Sequence, residues 1–206
     1  MIGLPLLYPI TDRGLAGGLS HAAIVGLLCR GGATLVQVRE KTMNDAELFS
    51  AVRDAVRVAS EGGARLVVND RADVAALSGA SGVHLGERDL PAADARRILG
   101  PGSLIGWSTH SVEEAVAAAR LPVDYVALGP VFATSHASAA REPVGLRAVQ
   151  EAAEAIDLPL VAIGGIDIAR AQEVLSAGAV SLAVIGDIMS ARDIAARVAS
   201  YLEMKR

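Results

Sequence analysis

The sequence has little cysteine, few aromatic side chains and no surplus of positive charge. Cys29 is the only cysteine in 206 residues, so no disulfide can form within the chain and a cytoplasmic location is expected. Lys and Arg number 19 against 23 Asp and Glu, a formal charge of −4, and no basic stripe is present, so nucleic acid is not an expected partner. No apolar run approaches the roughly 20 residues of a membrane span. The N-terminus lacks the positive start and cleavage site of a secretory signal, so neither a membrane protein nor a secreted one is expected.

A regular alternation of short apolar runs and helical stretches takes the place of these features. Hydrophobic residues make up 52% of the chain and aromatic residues only 3%, which is typical of β-branched strands packed against alanine-rich helices. The eight apolar runs are 4–10, 34–39, 65–69, 82–85, 104–108, 123–129, 159–164 and 181–186. Eight strand–helix units of about 26 residues each predict an α/β fold, a single-domain (β/α)8 TIM barrel over residues 1–206.

A doubly wound open sheet is the rival fold, and two features weigh against it. The first apolar run is not followed by a G-x-G-x-x-G turn. Polar candidates follow most of the runs, whereas a doubly wound sheet would gather them at one switch point.

Polar residues that end strands are the candidates for function, because the carboxyl ends of all strands in a parallel barrel open onto one face. The second run leads into Gln37, Arg39 and Lys41, which a two-residue period places on one side of the backbone. Two cations aimed into one cavity need an anionic partner there. The alternative is that Arg39 and Lys41 pair with Glu40 and neighbouring carboxylates at the rim.

Asp70 and Asp89 follow the third and fourth runs. Two carboxylates with open coordination beside two cations suit an Mg²⁺ ion that holds a diphosphate. The alternatives are that Asp70 caps the helix starting near Ala72 and that Asp89 is a turn residue before Pro91. His84 lies inside the fourth run and is interpreted as a core histidine or a pocket wall, not as a metal ligand.

Ser108 and two glycine turns complete the set of candidates. No nucleophile elbow G-x-S-x-G surrounds Ser108, so hydrogen bonding to a heteroaromatic ligand suits this serine better than acyl transfer. The turns 164–167 and 185–188 lead backbone N–H groups into helix starts, where barrels commonly bind a phosphate monoester. A purely conformational role in a tight turn is the alternative for Gly164 and Gly165.

Eight segments carry the motifs of one known family, in that family's order. They are 8-YPITD-12, 37-QVREK-41, 69-NDRADVA-75, 82-GVHLGERDLP-91, 106-GWSTHS-111, 129-GPVFAT-134, 162-AIGGI-166 and the terminal glycine turn. Over nearly its whole length the chain resembles the thiamine phosphate synthases, or thiamine-phosphate pyrophosphorylases, and their thiazole tautomerase relatives. The resemblance implies a (β/α)8 barrel that joins hydroxymethylpyrimidine diphosphate to thiazole phosphate, releases diphosphate and requires Mg²⁺.

The resemblance also implies a role for each matching position. The residues implied to hold the diphosphate, as the catalytic set, are Arg39, Lys41 and Asn69. The implied Mg²⁺ ligands are Asp70 and Asp89. The implied substrate-binding residues are Gln37 and Ser108 beside the pyrimidine, and Thr134, Gly165, Ile185 and Gly186 near the thiazole phosphate. No side-chain nucleophile or general base is implied, so catalysis would consist of positioning and charge neutralisation.

The sixth loop departs from the synthase pattern. Synthases continue from the Thr of 129–134 into a Thr-Lys pair whose Lys holds the diphosphate, and this chain has His136 and Ala137 at those positions. A charged hydrogen bond of that kind is worth roughly 1.5–3 kcal/mol, or about ten- to a hundredfold in rate. Arg141 is a candidate substitute, and a solvated surface charge is the alternative for it. Gly186, where synthases commonly have Ser, is a milder departure.

Two other functions stay open at this point. A thiazole tautomerase needs a general base, and in those relatives a His follows the Gly of the sixth strand, where this chain has Pro130. His136 would then be a displaced base. A non-catalytic barrel that binds thiamine precursors would keep the fold with its sixth loop disabled. The alanine-rich outer helices are compatible with a homo-oligomer, although nothing in the sequence specifies the interface.

Overall fold

The fold is known from a computed structural model that describes residues 3–134 and 141–204. Eight parallel strands form one sheet in the order β1-β8-β7-β6-β5-β4-β3-β2. The strands are β1 (Leu7–Pro9), β2 (Leu35–Val38), β3 (Arg65–Asn69), β4 (Gly82–Leu85), β5 (Leu104–Thr109), β6 (Tyr125–Leu128), β7 (Leu160–Ile163) and β8 (Ser181–Val184). The helices are α1 (His21–Arg30), α2 (Asp45–Glu61), α3 (Ala72–Ser78), α4 (Ala92–Leu99), α5 (Val112–Ala118), α6 (Gly145–Ala155), α7 (Ala171–Ser176), α8 (Gly186–Met189) and α9 (Ile194–Leu202).

The sheet closes between β1 and β2, the two strands at the ends of this order. Ile10 forms a parallel bridge with Gln37, and the Thr11 N–H donates to the Gln37 carbonyl at 2.9 Å. The predicted (β/α)8 barrel is therefore confirmed, and the open-sheet rival is wrong. None of the helices in the two described ranges is long and apolar enough to cross a bilayer.

Four of the described helices, α1, α2, α5 and α9, begin at a polar side chain that accepts from one of their first N–H groups. Asn44 accepts from the Glu47 N–H, and the Glu47 carboxylate accepts from the Asn44 N–H, which forms a capping box at the start of α2. Ser111 caps α5 by accepting from the Glu114 N–H at 3.1 Å. These caps satisfy N–H groups that a helix leaves without partners in its first turn.

Strand alternation divides the core into two layers. Side chains such as Val36 and Val68 point outward and pack with the helices, while the next residues along the strands point into the barrel. The inner apolar layer consists of Tyr8, Ile10, Leu35, Val67, Leu104, Tyr125, Ala127, Val161 and Ala183. Gln37 and His84 occupy inward positions and are buried as well, so the barrel interior contains polar groups that need hydrogen-bond partners.

Candidate active site

A cation and two carboxylates meet at the carboxyl ends of β2, β3 and β4. Lys41 Nζ lies 2.5 Å from Asp70 Oδ2. Burial raises the pKa of Asp89 and the nearby Asp70 carboxylate raises it further, while the Gly86 N–H, 2.7 Å from Asp89 Oδ2, and Lys41 act in the opposite direction. The structure thus brings Lys41, Asp70 and Asp89 together, and the two carboxylates oppose one another's ionisation at Asp89.

The backbone at Asp70 is unusual. Among the described residues, Asp70 is the only non-glycine residue with a positive φ, at 64°, a conformation that aspartate tolerates better than most residues. The interpretation of Asp70 as a helix cap is wrong, because Arg71 occupies the N-cap position of α3 and no side chain caps that helix. The turn alternative for Asp89 is partly correct, since its carboxylate accepts from the Gly86 N–H.

The turn that follows β2 is organised by Glu40. Its Oε1 accepts three hydrogen bonds of 2.8 Å, from the N–H groups of Lys41 and Thr42 and from the Thr42 hydroxyl. β2 ends at Val38, so the two-residue period does not reach Lys41, and the turn rather than the strand directs its ammonium to Asp70. The alternative drawn from the sequence, that Arg39 and Lys41 pair with Glu40 and neighbouring carboxylates at the rim, is partly correct, because the Lys41 ammonium pairs with the neighbouring carboxylate of Asp70.

The buried histidine His21 contacts Glu40 of the same turn, and Thr11 beside it. His21 Nε2 lies 3.2 Å from Glu40 Oε2, and His21 Nδ1 lies 2.8 Å from the Thr11 hydroxyl. The same hydroxyl accepts from the Arg39 N–H at 3.2 Å. Burial lowers the pKa of His21, although Glu40 acts to raise it. Sequence reasoning missed Thr11 and His21, because their contacts with the turn depend on how α1 packs beside β2.

Arg39 and Lys41 line a cleft of about 540 Å³ beside this turn. The other residues lining it are Asp12, Arg13, Gly14, Gly18, Glu40 and Thr42. Arg13 lies 3.7 Å from Glu40 Oε2 and adds a further positive charge. Asn69, the last residue of β3, pairs in register with His84 of β4. The cleft is thus rich in cationic groups next to the two carboxylates.

A continuous hydrogen-bond chain crosses the barrel interior between Gln37 and Ser108. Gln37 Nε2 donates to the Tyr8 hydroxyl at 2.9 Å, and the Tyr8 and Tyr125 hydroxyls are 3.0 Å apart. His84 Nδ1 lies 3.0 Å from the Tyr125 hydroxyl, and His84 Nε2 lies 2.8 Å from Ser108 Oγ. We call these five side chains the Gln37–Ser108 chain. Sequence reasoning proposed its two ends but missed both tyrosines.

The contact between Ser108 and His84 resembles half of a hydrolase triad but lacks its chemistry. Burial lowers the pKa of His84 to about 4, even though the Asp70 charge acts to raise it, so the imidazole is a weak base. Its Nδ1 faces the Tyr125 hydroxyl instead of a carboxylate. The pair therefore suits hydrogen bonding to a ligand better than activation of a nucleophile.

The glycines at the carboxyl end of β7 are required by a close approach of the chain. Gly164 and Gly165 have φ values of 100° and 63°, and a Cβ on Gly165 would lie 2.7 Å from the Ala133 carbonyl oxygen and 2.8 Å from Phe132 Cβ. The Phe132 N–H donates to the Gly164 carbonyl at 3.0 Å. A conformational need therefore exists for both glycines, whatever they bind.

The remaining predicted positions lie on the β6–β8 side of the barrel mouth. Thr134 is half-buried at the end of the first described range. Ile185 follows β8 and packs against the inner layer of the core, and Gly186 is the first residue of α8. Arg141 is exposed. His136 and Ala137 lie outside the described residues.

A metal site within residues 3–134 and 141–204 would have few protein ligands. No group of three or more His, Cys, Asp or Glu side chains in these ranges is arranged to hold a metal ion. Asp70 and Asp89 supply hard oxygen donors only, which fits Mg²⁺, because Mg²⁺ is commonly bound by one or two carboxylates with the rest of its shell from water and substrate phosphates.

Known proteins resemble this chain along nearly its whole length. A profile of the family described as thiamine monophosphate synthase matches residues 7–188. A thiamine-phosphate synthase of Albidiferax ferrireducens is 43% identical over 187 residues, which cover 91% of this chain and 85% of the relative. A thiamine-phosphate synthase of Methanoculleus marisnigri is 44% identical over 194 residues, with coverage of 94% and 92%.

A solved structure shows the same fold at appreciable sequence identity. The thiamine phosphate pyrophosphorylase from Pyrococcus furiosus superimposes with a TM-score of 0.86 and 35% identity, over 95% of this chain and 92% of that one. The barrel, the order of its motifs and these similarities agree from the first strand to the last. The chain therefore belongs to the thiamine monophosphate synthase family.

Proposed function

We propose that the chain is an Mg²⁺-dependent thiamine-phosphate synthase, which transfers the hydroxymethylpyrimidine group from its diphosphate to thiazole phosphate and releases diphosphate. The observation that carries the proposal is the ion pair of Lys41 with Asp70, with Asp89 close by, next to the cleft lined by Arg39. Family membership makes the chain an enzyme of the transferase class. The tautomerase and binding-protein alternatives are not favoured, because relatives at 43% and 44% identity over nearly the whole chain are synthases.

Asp70 and Asp89 are the residues that would hold Mg²⁺. They lie close together, and burial together with their mutual repulsion opposes ionisation of Asp89, which a bound divalent cation would relieve. When bound, Mg²⁺ supplies positive charge to the diphosphate oxygens. Lys41 pairs with Asp70 and would contact the same diphosphate directly through its ammonium group.

Arg39, Lys41 and Asn69 would neutralise the leaving group. The bond between the pyrimidine methylene carbon and the diphosphate oxygen breaks, and its electron pair departs with the diphosphate. The thiazole nitrogen then gives its lone pair to the methylene carbon. Neither step moves a proton to or from a side chain, so the reaction does not require a general base, and none was assigned among residues 3–134 and 141–204.

Gln37 and Ser108 would bind the pyrimidine ring by hydrogen bonds. Thr134, Gly165, Ile185 and Gly186 would bind the thiazole phosphate on the other side of the barrel mouth. Gly165 and Gly186 each offer a backbone N–H without a Cβ in the way, which suits contact with phosphate oxygens. The two substrates would thus approach the methylene carbon from different sides of the mouth.

The proposal is tested by incubating purified protein with Mg²⁺, hydroxymethylpyrimidine diphosphate and thiazole phosphate. We expect thiamine phosphate and diphosphate in equal amounts, and no product when the metal is chelated. Lys41→Ala should lower turnover far more than it weakens thiazole phosphate binding, whereas equal losses would contradict the role of Lys41. Absence of product above a boiled control would refute the synthase, and aromatisation of the thiazole carboxylate tautomer would favour an isomerase.

A further inference from the structure

With Gln37 Nε2 as the donor to the Tyr8 hydroxyl, the Gln37–Ser108 chain has one direction of proton donation. Tyr8 is only 1% exposed. Among the described residues its hydroxyl has two hydrogen-bond partners, Gln37 and Tyr125. Because it accepts from Gln37 Nε2, its own proton is donated to the Tyr125 hydroxyl. A proton aimed anywhere else would be buried without an acceptor, at a cost of about 1–3 kcal/mol.

The same reasoning carries the direction through to Ser108. The Tyr125 hydroxyl accepts from Tyr8, so its proton is donated to His84 Nδ1, 3.0 Å away. A neutral imidazole has one N–H, which is then on Nε2 and is donated to Ser108 Oγ at 2.8 Å. Ser108 keeps its own proton for another acceptor. Gln37, which has used Nε2, keeps Oε1 as an acceptor.

Two features hold the chain in this state. Burial raises the pKa of both Tyr8 and Tyr125, so both hydroxyls keep their protons near neutral pH. Gly106 provides the space, since a Cβ there would overlap the Tyr125 hydroxyl and His84 Nδ1.

We propose that Tyr8, Tyr125 and His84 are positioning residues that make Gln37 an acceptor and Ser108 a donor, and that they thereby select a 4-aminopyrimidine over its 4-oxo analogue. The proposal rests on the proposed function. An amino group donates to Gln37 Oε1, and a ring nitrogen lone pair accepts from the Ser108 hydroxyl. In the 4-oxo analogue a carbonyl acceptor replaces the amino donor and one ring nitrogen gains a proton. Its donors and acceptors therefore no longer match the Gln37 acceptor and the Ser108 donor.

The test compares 4-amino and 4-oxo hydroxymethylpyrimidine diphosphate in calorimetric binding and in turnover with thiazole phosphate. We expect the wild-type protein to prefer the amino compound by roughly a thousandfold or more. Tyr125→Phe keeps the ring but breaks the chain, and should reduce this preference at least tenfold while leaving the KM for thiazole phosphate unchanged. Should Tyr125→Phe fail to fold, Tyr8→Phe breaks the chain at the neighbouring link.

Tyr201→Phe is the matched control. Tyr201 is also fully buried, and its hydroxyl donates to Asp187 at 2.8 Å, outside the chain. We expect this variant to lose stability and to keep the wild-type preference. A wild-type protein without preference, without binding of either compound, or with a preference that survives Tyr125→Phe would overturn the proposal. A binding preference without any turnover would instead refute the synthase function and leave the polarity of the chain supported.

Discussion

Replacing Glu40 with glutamine should loosen the turn that carries Arg39 and Lys41 while the barrel stays folded. Burial alone would raise the pKa of Glu40, but hydrogen bonds from Thr42, Lys41 and His21 lower it from 4.5 to about 2. This shift corresponds to about 3 kcal/mol in favour of the carboxylate over the neutral acid. A glutamine has one acceptor oxygen, which can serve either the turn or His21 but not both. We therefore expect the free energy of unfolding at pH 7 to fall by about 2 kcal/mol.

The effect on catalysis should exceed the effect on stability. Displacement of the turn by about 1 Å moves both cations away from the diphosphate and can cost about a hundredfold in rate. We expect kcat/KM for the pyrimidine diphosphate to fall by that factor, with little change in thiazole phosphate binding. Urea unfolding and steady-state kinetics measure the two effects. The matched control is Glu151→Gln, because Glu151 is half-exposed and pairs with Arg147 on the surface of α6, a contact worth at most about 0.5 kcal/mol.

The pH dependence provides an independent check on Glu40. Because its folded pKa lies below its unfolded value of 4.5, the stabilisation is present above pH 4.5 and is lost as the pH falls toward 2. The Glu40→Gln variant should lose less stability than the wild type over this interval. Wild-type stability, wild-type turnover and an unchanged acid profile in Glu40→Gln would show that the carboxylate does not hold the turn.

Three further predictions concern the neighbouring residues. Asp70→Asn should keep or raise the melting temperature, because asparagine tolerates the φ of 64° and the repulsion with Asp89 disappears. Turnover of the same variant should fall at least a hundredfold, and a large drop in melting temperature would contradict the reasoning. Burial lowers the pKa of His84 from 6.5 to about 4. The free energy of unfolding should therefore fall by up to about 3 kcal/mol as the pH is lowered from 6.5 to 4, and His84→Gln should remove this loss. Gly106→Ala should destabilise the barrel in thermal unfolding, because the added Cβ overlaps Tyr125; near wild-type stability would be the contrary result.

The fold could be predicted from the sequence because its information is local. Each of the eight apolar runs overlaps one strand, and segments such as α2 carry both their apolar face and their capping box within a few residues. Strand length, helical period and turn residues together leave few arrangements other than a closed barrel. Tertiary packing was needed only to adjust the ends of the runs, for example from 4–10 to Leu7–Pro9 and from 104–108 to Leu104–Thr109.

The residues that orient the site side chains could not be predicted in the same way. His21 and Glu40 are 19 positions apart and Tyr8 and Tyr125 are 117 positions apart, so their contacts depend on register and helix packing, which no local pattern contains. The two-residue period also misled at Lys41, because β2 ends at Val38. Strand-end polar residues are visible in a sequence, whereas the residues that orient them are not.

Both supporting networks depend on the same short segment. Gln37 belongs to the chain that crosses the barrel interior, and Glu40, three residues later, belongs to the contacts with His21. The segment from 37 to 41 therefore connects the side chain proposed for the pyrimidine with the two cations proposed for the diphosphate. In the proposed substrate a single methylene joins these two groups, so the bond that breaks would lie between the two networks. Rigidity of this segment fixes the ring relative to the leaving group, and for this reason a change at Glu40 should affect turnover more than binding of the second substrate.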